Sequence, residues 1–107
     1  MTDFGATLER LATVIEARRG ADPAASWSAR LIGDPKLAAK KLAEEAVETA
    51  LAAVQGDRAG IVAESADLIY HLLALLAATG VGLNEVAAAL AAREGQSGVA
   101  EKASRGA

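Results

Sequence analysis

The 107-residue sequence contains no cysteine. That absence removes a disulfide frame, a thiolate metal site and a thiol nucleophile. Aromatic residues amount to 3% of the chain, although hydrophobic residues make up 52%. The apolar mass is alanine, leucine and valine, a helix-rich composition with little strand signal. Basic residues form no long block and no excess: 11 Lys and Arg stand against 14 Asp and Glu, for a net charge of −3. No nucleic-acid-binding surface is indicated. The longest apolar stretch, Leu68 to Ala78, is interrupted by Tyr70 and His71, and it falls short of the ~18 residues that a membrane span needs. The opening "MTDFGATLERL" has acidic residues where a secretion signal needs positive ones. The expectation is a cytoplasmic protein with no membrane partner, folded as one domain.

What the chain does carry is helical periodicity. Leu8, Leu11 and Ile15, with Phe4, predict a first helix over 2–18. Gly20 and Pro23 stop it. "SWSARLIGDP" reads as a connector with a short helical turn. Asp34 followed by Pro35 is an N-cap with proline at the first helical position, and the helix it opens runs to about Gln55. Gly56 ends that helix, Asp57 caps the next, and "TGVG" closes it after Thr79. A further helix starts at Leu83 or Asn84 and reaches about Glu94. No strand pattern and no internal repeat is visible. The expected fold is an all-α bundle of four to five helices over 1–95, with a flexible tail over 96–107. In the helix ending at Thr79, Leu68, Ile69, Leu72, Leu73, Leu75 and Leu76 surround most of the circumference. Such a helix belongs in an interior, and four short helices can hardly enclose it. A homodimer that covers one side is therefore expected; a monomer with an exposed leucine patch is the alternative.

Against this apolar background the acidic residues stand out. "KLAEEAVETA" places Lys41, Glu44, Glu45, Glu48 and Gln55 on one face of its helix, opposite Ala39, Ala43, Ala46, Ala50 and Ala53. "ESAD" gives the following helix a polar stripe of Glu64, Asp67, Tyr70 and His71. Two antiparallel helices joined by "QGDR" bring these stripes to similar height if they face each other. Two carboxylates about 5 Å apart repel by roughly 3 kcal/mol at an effective dielectric of ~20. Glu45, Glu48, Glu64 and Asp67 must then hold protons or share a cation. An all-oxygen ligand set at (i, i+3) spacing suits Mg²⁺, or Mn²⁺, better than zinc. Water on such an ion, with a carboxylate as base, is a nucleophile for phosphoryl chemistry. The blander reading keeps Glu44, Glu45 and Glu48 as a solvated face paired with Lys40 and Lys41. Glu64 and Asp67 fit it less well, because carboxylates among Ile61, Val62, Leu68 and Ile69 are costly to bury unpaired.

These residues resemble a known group. E-x-x-E at Glu45 and Glu48, followed by E-x-x-D at Glu64 and Asp67, is similar to the all-α nucleoside triphosphate pyrophosphatase superfamily. "SWSARL", "PKLAAKKLAEEAVETALAA", "GDRAGIVAESADLIYHLLALLAATGVGLNEV" and "SGVAEKASR" narrow the resemblance to phosphoribosyl-ATP pyrophosphohydrolases, over about 25–105. It implies a helical dimer that uses Mg²⁺ to hydrolyse phosphoribosyl-ATP between the α- and β-phosphates, a step of histidine biosynthesis. By position it implies Glu45, Glu48, Glu64 and Asp67 as metal ligands, and Glu44 as a supporting ligand or water-orienting base. Lys40 and Lys41 would meet phosphate oxygens. Ser26, Trp27 and Arg30 would line the substrate site, with Trp27 stacking on adenine. Lys102 and Arg105 would fold over the phosphates. Structural alternatives stand beside these roles: Trp27 as an anchor of the connector, Tyr70 as packing, and Lys102 and Arg105 as a solubilising tail. His71 is open between ligand, base and core residue. Two rival functions share the features. One is a house-cleaning pyrophosphatase for dUTP or modified triphosphates, and the other is a non-catalytic helical dimerisation module.

Overall fold

The computed structural model describes residues 2–95 together with 98, 102, 103 and 105. Five helices follow one another: α1 (Phe4–Glu16), α2 (Trp27–Ile32), α3 (Pro35–Val54), α4 (Arg58–Thr79) and α5 (Leu83–Ala91). No strand occurs among the described residues, so the architecture is all-α. Each start has a local cause. Asp3, Ser26, Asp34 and Asp57 cap α1 to α4 by accepting hydrogen bonds from Ala6, Ala29, Leu37 and Gly60 backbone N–H groups at 2.7, 3.1, 3.1 and 3.0 Å. At α5 the Glu85 carboxylate accepts the Gly82 N–H at 2.8 Å. The α3–α4 turn and the end of α4 use Gly56 and Gly80 at φ 68° and 73°, left-handed positions where a Cβ is penalised.

The helix α4 is the hub, with α1, α2 and α3 all packed on it and α3 running alongside for most of its length. The core beneath them is small: Ile15, Leu31, Ile32, Ala38, Leu73 and Ala74. The connector before Asp34 is thus a six-residue helix, held because Ala29, Leu31 and Ile32 are buried against the bundle. The first and last helices are shorter than the periodicity predicts. Asp3 caps α1 after Thr2, turns occupy 17–20, and α5 ends at Ala91. Beyond α1, Arg19 pairs with Glu16 and donates to the Ala77 carbonyl at 2.7 Å, which ties the first loop to the end of α4.

Two faces run against the usual pattern. On α3 the acidic side turns inward, with Glu45 buried, while Ala39, Ala43, Ala46, Ala50 and Ala53 lie on the outer side. On α4 only His71, Leu73 and Ala74 are buried, and Leu72 is 37% exposed. By length and composition alone α4 could cross a membrane. Here it packs against three other helices and carries Glu64 and Asp67.

Candidate metal centre

Helices α3 and α4 bring together three of the predicted carboxylates. Glu45, Glu48 and Glu64 each offer an oxygen, and these atoms lie within 4.8 Å of one another. Spacing explains the result: Glu45 and Glu48 lie less than one turn apart on α3, and the short Gln55–Asp57 turn returns α4 antiparallel beside them. Glu45 is buried, Glu64 half-buried and Glu48 exposed, so the cluster opens to solvent on one side. Asp67 is not a member of this close group, although its charge reaches Glu45 and raises the pKa there.

The electrostatics record the crowding. Glu64 is pushed up from 4.5 to about 7, first by Glu48, with which it can share a proton, then by burial and by Glu45. Burial pushes Glu45 up; proton sharing with Glu64 opposes this, and the charges of Glu48 and Asp67 add to it. Both residues leave one carboxylate oxygen, Oε2, buried without a hydrogen-bond partner. Buried acceptors are nearly always satisfied, and two unpartnered oxygens in one acidic cluster are what a bound cation satisfies. The donor set is oxygen only. The site can therefore hold a metal ion, and its chemistry fits a hard one.

The remaining predicted residues fall into two groups. Glu44 points along α3 to Lys41, whose ammonium lies 3.0 Å away and holds the Glu44 carboxyl below its usual range. Lys41 is raised in turn by Glu44, with smaller contributions from Glu45 and Glu48. Lys40 is exposed one position before it. On α2, Ser26 spends its hydroxyl on the helix cap. Trp27 donates its indole N–H to His71 Nε2 at 3.2 Å, and the Arg30 guanidinium sits 5.7 Å from the indole centre. Since His71 Nδ1 lies 2.8 Å from the Asp67 carbonyl oxygen, α2 is linked to the carboxylate helix through one ring. Sequence reasoning missed Ser28, whose hydroxyl is 2.6 Å from Tyr70 Oη; no sequence signal marks a contact between residues 42 apart. Lys102 and Arg105 are exposed. The rest of the predicted tail, 96–97, 99–101, 104 and 106–107, lies outside the described residues.

Residues 8–94 match the family of phosphoribosyl-ATP pyrophosphohydrolases. The chain belongs to that family. Relatives agree along most of their length. A phosphoribosyl-ATP pyrophosphatase of Caulobacter vibrioides is 63% identical over 98 residues, 92% of each chain. One from Caulobacter sp. (strain K31) is 57% identical over 98% of each chain. One from Cereibacter sphaeroides is 58% identical over 92% of this chain and 97% of its own. The matched region spans α2, α3 and α4, and so the Glu45, Glu48 and Glu64 carboxylates of this phosphoribosyl-ATP pyrophosphohydrolase family member, but not Lys102 or Arg105.

Proposed function

We propose that this chain hydrolyses phosphoribosyl-ATP to phosphoribosyl-AMP and pyrophosphate, the second step of histidine biosynthesis, with Mg²⁺ (or Mn²⁺) as its ion. The observation that carries the reading is the Glu45–Glu48–Glu64 group with its two unpartnered buried oxygens, in a chain of this family. Glu45, Glu48 and Glu64 would hold the ion, with Asp67 beside them. Such an ion would supply Lewis-acid chemistry there, withdrawing charge from phosphate oxygens and easing loss of a proton from water. Glu44, next to the cluster and tied to Lys41, orients water or supports the ligands. Lys40 and Lys41 meet phosphate oxygens as point charges. Trp27 and Arg30 offer a flat aromatic and guanidinium surface for the adenine, with Ser26 holding that helix's first turn. Lys102 and Arg105, in a tail over 96–107, close over the phosphates. The net step adds one water across the α–β phosphoanhydride bond and releases pyrophosphate.

The same reading takes the protein as a cytoplasmic homodimer with no membrane partner. Exposed Val47, Leu51 and Val54 on α3 support the homodimer, at 59, 53 and 85% exposure. A second copy gives this apolar face a partner. The test uses phosphoribosyl-ATP made in place from ATP and phosphoribosyl pyrophosphate by the preceding transferase. Magnesium-dependent appearance of phosphoribosyl-AMP and pyrophosphate is expected. Phosphoribosyl-ATP that accumulates unchanged, while dUTP or a modified triphosphate is consumed, overturns the substrate in favour of a house-cleaning enzyme. No turnover of any nucleotide, with no effect of magnesium on melting, leaves a dimerisation module.

A further inference from the structure

Two hydrogen bonds fix the state of His71. Its Nδ1 lies 2.8 Å from the Asp67 backbone oxygen, and its Nε2 lies 3.2 Å from Trp27 Nε1. A carbonyl oxygen can only accept and an indole N–H can only donate. The proton therefore sits on Nδ1, and the Nε2 lone pair receives the indole. Tyr70 packs edge-on against the ring, with centroids 5.0 Å apart at 90°, and His71 is only 6% exposed. With both nitrogens engaged in this way, the imidazole has no free lone pair to ligate a metal. Its remaining capacity is mechanical.

That capacity matters because of what it joins. At one end is the backbone of Asp67, three residues after Glu64 on α4. At the other is Trp27, on a helix of six residues, too short to be rigid without tertiary contacts. Trp27 is 40% exposed, so packing alone leaves the indole room to rotate.

We propose that His71 is a positioning residue: by holding the Trp27 N–H it fixes the indole and its Arg30 partner at one reach from the carboxylate cluster. An aromatic base resting on that platform and phosphates at the cluster are then engaged together. The proposal deepens the nucleotide reading given above and rests on it. Ser28 and Tyr70 form a second tether between the same helices, which keeps α2 docked when His71 is changed and isolates the effect on the indole.

Trp27 is the only tryptophan, so its emission reports the tether without any substrate. His71→Leu retains bulk but has no acceptor. It is expected to shift the emission to the red, speed acrylamide quenching, and raise KM for phosphoribosyl-ATP about fivefold, the equivalent of one hydrogen bond, with little change in kcat. His71→Gln places an amide oxygen at the reach of Nε2 and is expected to restore both readouts. Trp27→Phe keeps a ring face but drops the N–H; it should raise KM, and adding His71→Leu to it should change little more. An indole emission unmoved by His71→Leu, or effects that multiply in the double variant, overturns the proposal. If the wild-type protein leaves phosphoribosyl-ATP intact, the substrate reading fails by itself, and the emission comparison of the Leu and Gln variants still decides whether the tether exists.

Discussion

At the residue scale, the feature with the largest consequence is the raised proton affinity of Glu64. Its pKa, raised from 4.5 to about 7 by Glu48, burial and Glu45, means that the folded chain binds a proton more tightly than the unfolded chain does. Stability of the metal-free protein is therefore fullest below about pH 4.5 as far as this group is concerned, and is lost as pH rises through about 7. A divalent ion competes with the same proton, so its affinity strengthens over that window. Melting curves in chelator across pH 5 to 8, and magnesium titrations by calorimetry in buffers of different ionisation heat, measure the two halves of the linkage. A Glu64→Gln variant should separate them. It keeps the shape and removes the charge, so the chelated protein should melt higher than wild type at pH 8, while hydrolysis falls by roughly 100-fold or more. Equal melting temperatures and near-normal turnover would show that Glu64 carries neither strain nor function. The spacing of Glu45, Glu48 and Glu64 was readable along the chain because (i, i+3) positions on facing helices can only converge or diverge. The bond from Trp27 to His71 was not, since it spans 44 positions and neither residue type demands the other.

At the element scale, helix boundaries followed from local chemistry wherever a cap was present. Asp34–Pro35, Asp57 and the glycines at 56 and 80 mark the two long helices, and the structure places their ends close to those signals. The short helix α2 was legible only as a turn because its stability comes from elsewhere. Its six residues cannot sustain a helix through backbone bonds alone, and Leu31, fully buried, supplies the missing energy through tertiary packing. Leu31→Ala should accordingly cost about 2–5 kcal/mol in urea denaturation and loosen Trp27, visible as a loss of its hydrogen-bonded emission. Gly80→Ala is a milder control at the other end of the bundle. With φ at 73° and no neighbouring atom within 4 Å of the Cβ that alanine would add, the cost is conformational rather than steric contact with neighbours, about 1 kcal/mol. A larger loss for Gly80→Ala than for Leu31→Ala would mean that α2 is not held by burial.

At the scale of the whole molecule, the chain shows an inversion: α3 turns carboxylates toward its neighbour and leaves valine and leucine outside. Within one chain that arrangement builds the carboxylate cluster but leaves the outer apolar side chains uncovered. If the metal centre dictates which side of α3 faces α4, the apolar residues are left on the outer side and need a second surface. Burying an exposed Leu or Val is worth about 1.5–3 kcal/mol each. Val47, Leu51 and Val54, counted twice across a two-fold axis, supply a driving force that exceeds the lower range of the cost of association. Sedimentation equilibrium should therefore return twice the chain mass at micromolar concentration. Leu51→Lys, which puts a charge at the middle of the α3 stripe, should yield a monomer with a lower melting temperature. Because Leu51 lies three residues from Glu48 on the same helix, the lysine should also weaken magnesium binding by placing a positive charge near the cluster. A wild-type chain that sediments as a monomer with full metal affinity would separate the apolar face from the site and leave the inversion of α3 without this cause.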